Sequence, residues 1–179
     1  MARPLHAGSD VIDFGLFVIR IVVGMVFAAH GAQKLFGWWG GPGMDRWAGV
    51  IERMGVRPTR LWASLSAGNE LGSGLLLAIG LLVPLAAAAL VAQSAVIIVR
   101  VHWSKGFFST QGGYEFPLVL GTVSLALAFA GPGAWSIDEH LPLAALYQPI
   151  VVWIMVAVAL AVALVAIMMR APSPPPPGP

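Results

Sequence analysis

The sequence predicts an all-α membrane protein. The expected architecture is a four-helix transmembrane bundle with an added C-terminal fifth helix, and an interfacial amphipathic helix between helices one and two. Three observations predict it. Hydrophobic residues make up 58% of the 179 positions and charged residues only 10%, with a mean hydropathy of +0.84, whereas soluble domains are about 45–50% apolar and about 25% charged. Five segments approach the roughly 20 mostly apolar residues needed to cross a bilayer. Finally, Met44–Met54 sets Met44, Trp47, Ala48, Val50, Ile51 and Met54 against Asp45, Arg46, Glu52 and Arg53 at helical spacing.

Residues 1–10 read as a short extracytoplasmic segment. Arg3, Asp10 and Asp13 leave this region no apolar core, and the apolar run that follows carries Arg20 without a small-residue cleavage site. It is therefore expected to be a membrane helix, not a cleaved signal peptide. Residues 11–138 form the four-helix unit, with helices over about 11–36, 61–83, 85–103 and 115–130. The amphipathic stretch, about 44–54, is too short and too charged to span and is expected to lie in the interface, with Gly40-Gly41-Pro42-Gly43 making the bend. Pro84 separates the second and third spans, and Gly131-Pro132-Gly133 ends the fourth. Residues 139–170 supply a loop and the uncharged fifth helix, Leu146–Met169. The tail, 171–179, with six prolines in Pro172–Pro179, is expected to be extended and unpacked.

Trp38, Trp39, Trp47, Trp62, Trp103 and Trp135 fall near predicted helix ends, as an interfacial aromatic belt would place them. The loops on one side carry Arg46, Arg53, Arg57, Arg60, Lys105 and Arg170, and the other side carries Arg3 alone beside Asp138 and Glu139. The positive-inside rule then puts the N-terminus outside and the C-terminus in the cytoplasm of an inner-membrane protein. Cysteine is absent, which excludes disulfides, thiol catalysis and Cys-ligated zinc or iron–sulfur clusters. No metal site is expected.

A charge within the hydrocarbon is costly and marks structure or function. Arg20, His30 and Lys34 fit within an arc of about 80° on the first helix, so they are expected to face the bundle interior. Lys34 alone is close enough to the end to snorkel. Glu70 lies ~13 Å from the inner end of its helix, between His30 at ~9 Å and Arg20 at ~24 Å in depth. Glu70, His30 and Arg20 are therefore the candidates for a proton relay or an ion-pair core. Gly68 and Gly72, extended by Gly74, give that helix a smooth face for close packing around Asn69 and Glu70. Arg100 and His102 end the third helix about 200° apart. The glycine- and aromatic-rich stretch up to Tyr114 and Glu115 is a candidate cap over that end. His30, Lys34, Asn69, Glu70, Arg100, His102, Tyr114 and Glu115 together form the candidate ligand-binding set in the cytoplasmic half.

Arg20, His30-Gly31 and Lys34, then Asn69-Glu70-Leu71-Gly72-Ser73-Gly74, then His102, Gly106-Phe107-Phe108 and Gly112-Gly113-Tyr114-Glu115-Phe116-Pro117, and finally Gly131-Pro132-Gly133-Ala134-Trp135-Ser136-Ile137-Asp138 follow one another in an order that resembles the DoxX family of small membrane proteins. The resemblance covers roughly Phe14–Asp138. It implies a four-helix membrane bundle. It also implies a link to redox chemistry, since the family takes its name from a subunit of an archaeal thiosulfate:quinone oxidoreductase. The fifth helix and the proline tail depart from that pattern.

Three functions follow. The first is a membrane subunit of a quinone-linked oxidoreductase complex, in which His30, Arg100 or His102 donates to the quinone oxygens and Glu70 relays the proton. No intrinsic cofactor is expected, because the chain has neither a cluster-binding cysteine nor a dinucleotide fingerprint. Electrons would come from a partner. Haem ligation would rest on His30 and His102 alone, both toward one end. The second is a non-catalytic scaffold or assembly factor. The third is a small proton-coupled transporter, for which five helices without an internal repeat are a thin basis. The partners admitted are the lipid bilayer, a soluble or membrane oxidoreductase subunit and a second copy in a homo-oligomer. Nucleic acid is not among them.

Overall fold

The computed structural model describes residues 7–169, with side chains from Asp10 onward. Arg3, Arg170 and the proline-rich tail lie outside the described residues. Within them the chain is helical: α1 (Ala7–Phe36), α2 (Gly43–Arg53), α3 (Thr59–Ile79), α4 (Val83–Ile97), α5 (Glu115–Ala130) and α6 (Pro149–Met168), with short 3-10 turns between. Three helical stretches, Asp10–Phe36, Val83–Lys105 and Pro149–Met168, are long and apolar enough to cross a membrane by length and composition. Of the five expected spans, α5 is apolar but only 16 residues long, and α3 has 21 residues but carries Arg60, Asn69 and Glu70.

Several boundaries move, each for a local reason. α1 starts at Ala7, not at residue 11, because the polar Gly8-Ser9-Asp10 turn continues the helix and puts Asp10 against its positive N-terminal end. α3 stops at Ile79, not at 83. Gly80 takes a left-handed φ of 72°, and its N–H and that of Leu81 turn back to the carbonyls of Leu77 and Leu76, which is the glycine-terminated close of a helix. α4 then starts at Val83, with Pro84 in its first turn, where a missing N–H costs nothing. Its far end widens into one π turn, Ile98–His102. α6 begins at Pro149, not at 146, after a 3-10 turn over Ala144–Tyr147. α5 covers 115–130, the range expected from sequence, and α2 matches its expected range to one residue.

α1 packs chiefly on α3, and α4 bridges α3, α5 and α6. Val23, Phe27, Leu77, Val83, Leu90, Leu127 and Val152 make the shared core. α2 keeps Asp45, Arg46, Glu52 and Arg53 exposed. It turns Ala48 and Ile51 onto Val56 and Ala63, beside Met44, Trp47, Met54 and Trp62. This is the one-sided burial its sequence pattern predicts.

Of the glycines expected to let α3 pack closely, Gly74 does so against α1, whereas Gly68 and Gly72 do not. A Cβ on Gly68 or Gly72 would meet nothing within 4 Å. A Cβ on Gly24 would come within 2.5 Å of the Gly74 carbonyl oxygen, one on Gly74 within 2.6 Å of the Ala28 nitrogen, and one on Gly31 would collide with the Leu71 backbone. The crossing therefore runs through Gly24, Gly31 and Gly74. Gly31→Ala is expected to cost about 1–3 kcal/mol by overpacking against backbone. Gly72→Ala, on the open face, should be neutral or stabilising by up to about 1 kcal/mol. Thermal unfolding of both variants in detergent, followed by circular dichroism, compares them. Equal behaviour would refute the assigned crossing.

Candidate functional site

Near the C-terminal end of α1, a pocket of about 200 Å³ opens among α1, α2, α3, α4 and α5. Phe27, Trp47, Phe116 and Leu120 give it apolar walls, and Glu70, Lys34 and Ser94 give it polar ones. Glu70 is only 1% exposed. Its Oε1 accepts from Lys34 Nζ at 2.5 Å and from Gln93 Nε2 at 3.0 Å, and Gln93 also donates to Ser66 Oγ at 2.9 Å. The Lys34 ammonium sits 4.4 Å from the Trp47 ring centroid, a cation–π contact that covers it from the α2 side.

Glu70 Oε2, Ser94 Oγ and Trp47 Nε1 are buried and have no hydrogen-bond partner among the described residues. Buried polar groups are paired in the large majority of cases, so three together in one pocket are notable. Ser94 contrasts with Ser124, whose hydroxyl donates to the Leu120 carbonyl one turn back at 2.8 Å. The end of α4 and the π turn that follows it supply one wall, through Ile97, Val101 and His102. His102 Nδ1 lies 2.5 Å from the Gly112 carbonyl oxygen. A carbonyl only accepts, so Nδ1 carries the proton, and in the neutral ring Nε2 is the acceptor. His30 is exposed and stands at the rim, edge-on to Phe116 at 6.1 Å.

The other expected site residues go elsewhere. Arg20 is fully buried, but it does not join Glu70. It reaches the opposite end of α3, where Nη1 donates to the carbonyls of Leu77 and Ala78, each at 3.4 Å, and Nη2 to that of Trp135 at 2.6 Å. The expected common face of Arg20, His30 and Lys34 thus resolves into three environments. Lys34 neither snorkels nor stays free, since Glu70 holds it. Asn69 crosses to the Ala89 carbonyl and accepts from Ser73, and so fastens α3 to α4. Arg100 donates to the carbonyls of Met54 and Ile167, and so ties α4 to the ends of α2 and α6. Tyr114 stacks on Trp103 at 5.3 Å. Glu115 accepts from the N–H and hydroxyl of Ser109. Both organise the loop and do not line the pocket. Among the described residues, no group of three or more His, Asp or Glu side chains is placed to hold a metal.

At the Arg20 end, Asp138 does what sequence reasoning missed. Its two oxygens accept from the N–H groups of Leu82 at 2.8 Å and Val83 at 2.9 Å, and Oδ2 also accepts from the Tyr147 hydroxyl. A carboxylate from 55 residues downstream thereby caps the first turn of α4, while Arg20 caps the last carbonyls of α3. Both charges sit at the helix ends that favour them. Burial, then the hydrogen bond to Asp138, pushes the Tyr147 phenol well above its ordinary range. A raised native pKa means that this contribution to stability is complete below about pH 10, the unfolded value, and is lost as pH rises beyond it. Tyr147→Phe is expected to flatten the alkaline limb of the stability profile above about pH 10. Unfolding in detergent, measured across that range, tests this, and an unchanged limb would contradict it.

Residues 15–103 match the DoxX family. That segment contains Arg20, Lys34, Trp47, Glu70, Gln93, Ser94 and His102, whereas Phe116 and Asp138 lie beyond it. An uncharacterized membrane protein of Mycobacterium tuberculosis is 29% identical over 152 residues, covering 78% of this chain and 86% of that relative. No solved structure matches the chain. Its helical membrane architecture agrees with that match: over residues 15–103, just under half of its length, the chain is similar to the DoxX family.

Proposed function

We propose that the chain is a ligand-binding membrane subunit of a quinone-linked redox complex, and that the Glu70 pocket is where the quinone-type ring enters. The observation that carries this reading is that three of the residues lining one aromatic-walled pocket, Glu70, Ser94 and Trp47, each carry a buried polar atom without a partner among the described residues. Such a pocket, mostly apolar with a few convergent polar groups, suits a small flat ligand. The residues fit the group: Phe27 and Phe116 would give it apolar walls, and the Trp47 indole N–H and the Ser94 hydroxyl would be the donors for its oxygens. When bound, a quinone supplies reversible two-electron, two-proton chemistry. The chain's own part is to orient the ring, exclude water and take or return a proton at Glu70 Oε2. Electrons come from a partner.

The test is calorimetric titration of the full chain, in lipid nanodiscs stripped of endogenous quinone, with a short-chain quinone in both its oxidised and reduced forms. Saturable binding is expected, and Ser94→Leu, which fills the pocket, should abolish it. No saturable binding of either form would defeat the reading.

A further inference from the structure

We propose that the pocket is matched to a hydroxyl-bearing aromatic ring, a phenol or hydroquinone, and disfavours the same ring once its hydroxyl is oxidised or alkylated. This rests on the ligand-binding reading of the Glu70 pocket and specifies the form of ligand it holds.

The argument is one of donors and acceptors. Glu70 Oε1 is fully engaged by Lys34 and Gln93, and Gln93 is itself held by Ser66. Only Oε2 is left, buried and unpartnered. As the ionised partner of a lysine ammonium, this carboxylate can only accept. Its complement must therefore be a ligand O–H or N–H. Trp47 Nε1–H is the reverse, a donor that cannot accept, and Ser94 Oγ can do either. A hydroxyl satisfies both demands, since it donates to Glu70 Oε2 and accepts from Trp47 or Ser94. A quinone carbonyl or an aryl ether only accepts, and would leave Oε2 stranded in the filled pocket. A cationic amine is also a donor. However, Lys34 already neutralises Glu70 at 2.5 Å, so a second ammonium would enter beside a like charge. The aromatic walls, Phe27, Trp47 and Phe116, favour a ring over an aliphatic alcohol.

The experiment uses a redox-inert pair, 4-butylphenol and 4-butylanisole, titrated calorimetrically into the full chain in nanodiscs. The phenol is expected to bind at least about tenfold more tightly, as for a site whose buried polar group would otherwise go unpaired. In Glu70→Gln, an amide whose oxygen stays toward Lys34 turns an N–H into the pocket, so the preference should shrink or reverse. The comparison in the unaltered chain decides the matter even if that variant does not fold. Equal affinity for phenol and anisole would overturn the donor matching while leaving the pocket reading standing. Failure of the phenol, the anisole and the quinone forms alike would overturn both.

Discussion

Asp138→Ala is expected to destabilise the folded chain by about 3–5 kcal/mol. It removes one acceptor from three donors at once, the N–H groups of Leu82 and Val83 and the Tyr147 hydroxyl, and each buried unsatisfied group costs about 1–3 kcal/mol without strict additivity. Two of these donors begin α4, and the third fixes the turn that leads into α6. One truncation therefore loosens a helix start and the approach of the last helix together. Arg20→Met should be comparable, because it removes the guanidinium from the carbonyls of Leu77, Ala78 and Trp135, of which Leu77 alone keeps the Gly80 N–H described above. Asp138→Asn should fall between, since an amide oxygen can still accept from one of the two N–H groups. The surface pair Arg60–Asp45 provides the contrast. At 80% and 87% side-chain exposure, it should change stability little when broken. Chemical unfolding in detergent, read by circular dichroism, ranks the four variants. If Asp138→Ala behaves like Arg60→Ala, the capping role is wrong.

The same cluster shows what a sequence reader can and cannot see. The helices were legible because apolar runs and glycine or proline punctuation are local signals. Glu115–Ala130 and the amphipathic α2 emerged almost to the residue. Glu70 and Lys34 were legible as candidates because charge in an apolar helix is conspicuous. Their pairing was not, because helical phase places residues on a face without saying which neighbour that face meets. Arg20 illustrates this. Its phase puts it near His30 and Lys34, but its partners are carbonyls at the far end of another helix and in the loop before Asp138. Asp138 itself looked like an ordinary loop acid, since a cap supplied from 55 residues away leaves no local pattern. Ser94 and Gln93 were passed over as ordinary polar residues in an apolar helix. Trp47 passed as one member of an interfacial belt. Only the three-dimensional hydrogen-bond pattern distinguishes them: unpaired buried atoms on Ser94 and Trp47, and the bond from Gln93 to Glu70.

The Lys34–Glu70 pair should respond asymmetrically to the loss of either partner. Lys34→Met strands a carboxylate that is 1% exposed, and removing the counter-charge from a buried ion typically costs about 3–5 kcal/mol. Glu70→Gln strands an ammonium that is 14% exposed and lies against Trp47. That group can extend along its stem toward the nearby end of α1, so about 1–2 kcal/mol is expected, the cost of lost hydrogen bonds. The double variant Lys34→Met, Glu70→Gln leaves no unpaired charge and should recover most of the stability, with a coupling of about 2 kcal/mol or more in the double-mutant cycle. Unfolding of the four chains under one detergent condition gives that number, and a coupling near zero would show that the two charges do not depend on each other. The double variant also separates structure from function. A neutral pair that is as stable as the ion pair shows that folding does not require the charge, because well-packed neutral replacements of buried ion pairs are often no less stable. If this stable double variant has lost the preference for 4-butylphenol over 4-butylanisole, the carboxylate is kept in the bundle for what it accepts from a ligand. If the preference survives, a neutral acceptor at this position serves the ligand as well, and the charge itself is there for the helices alone.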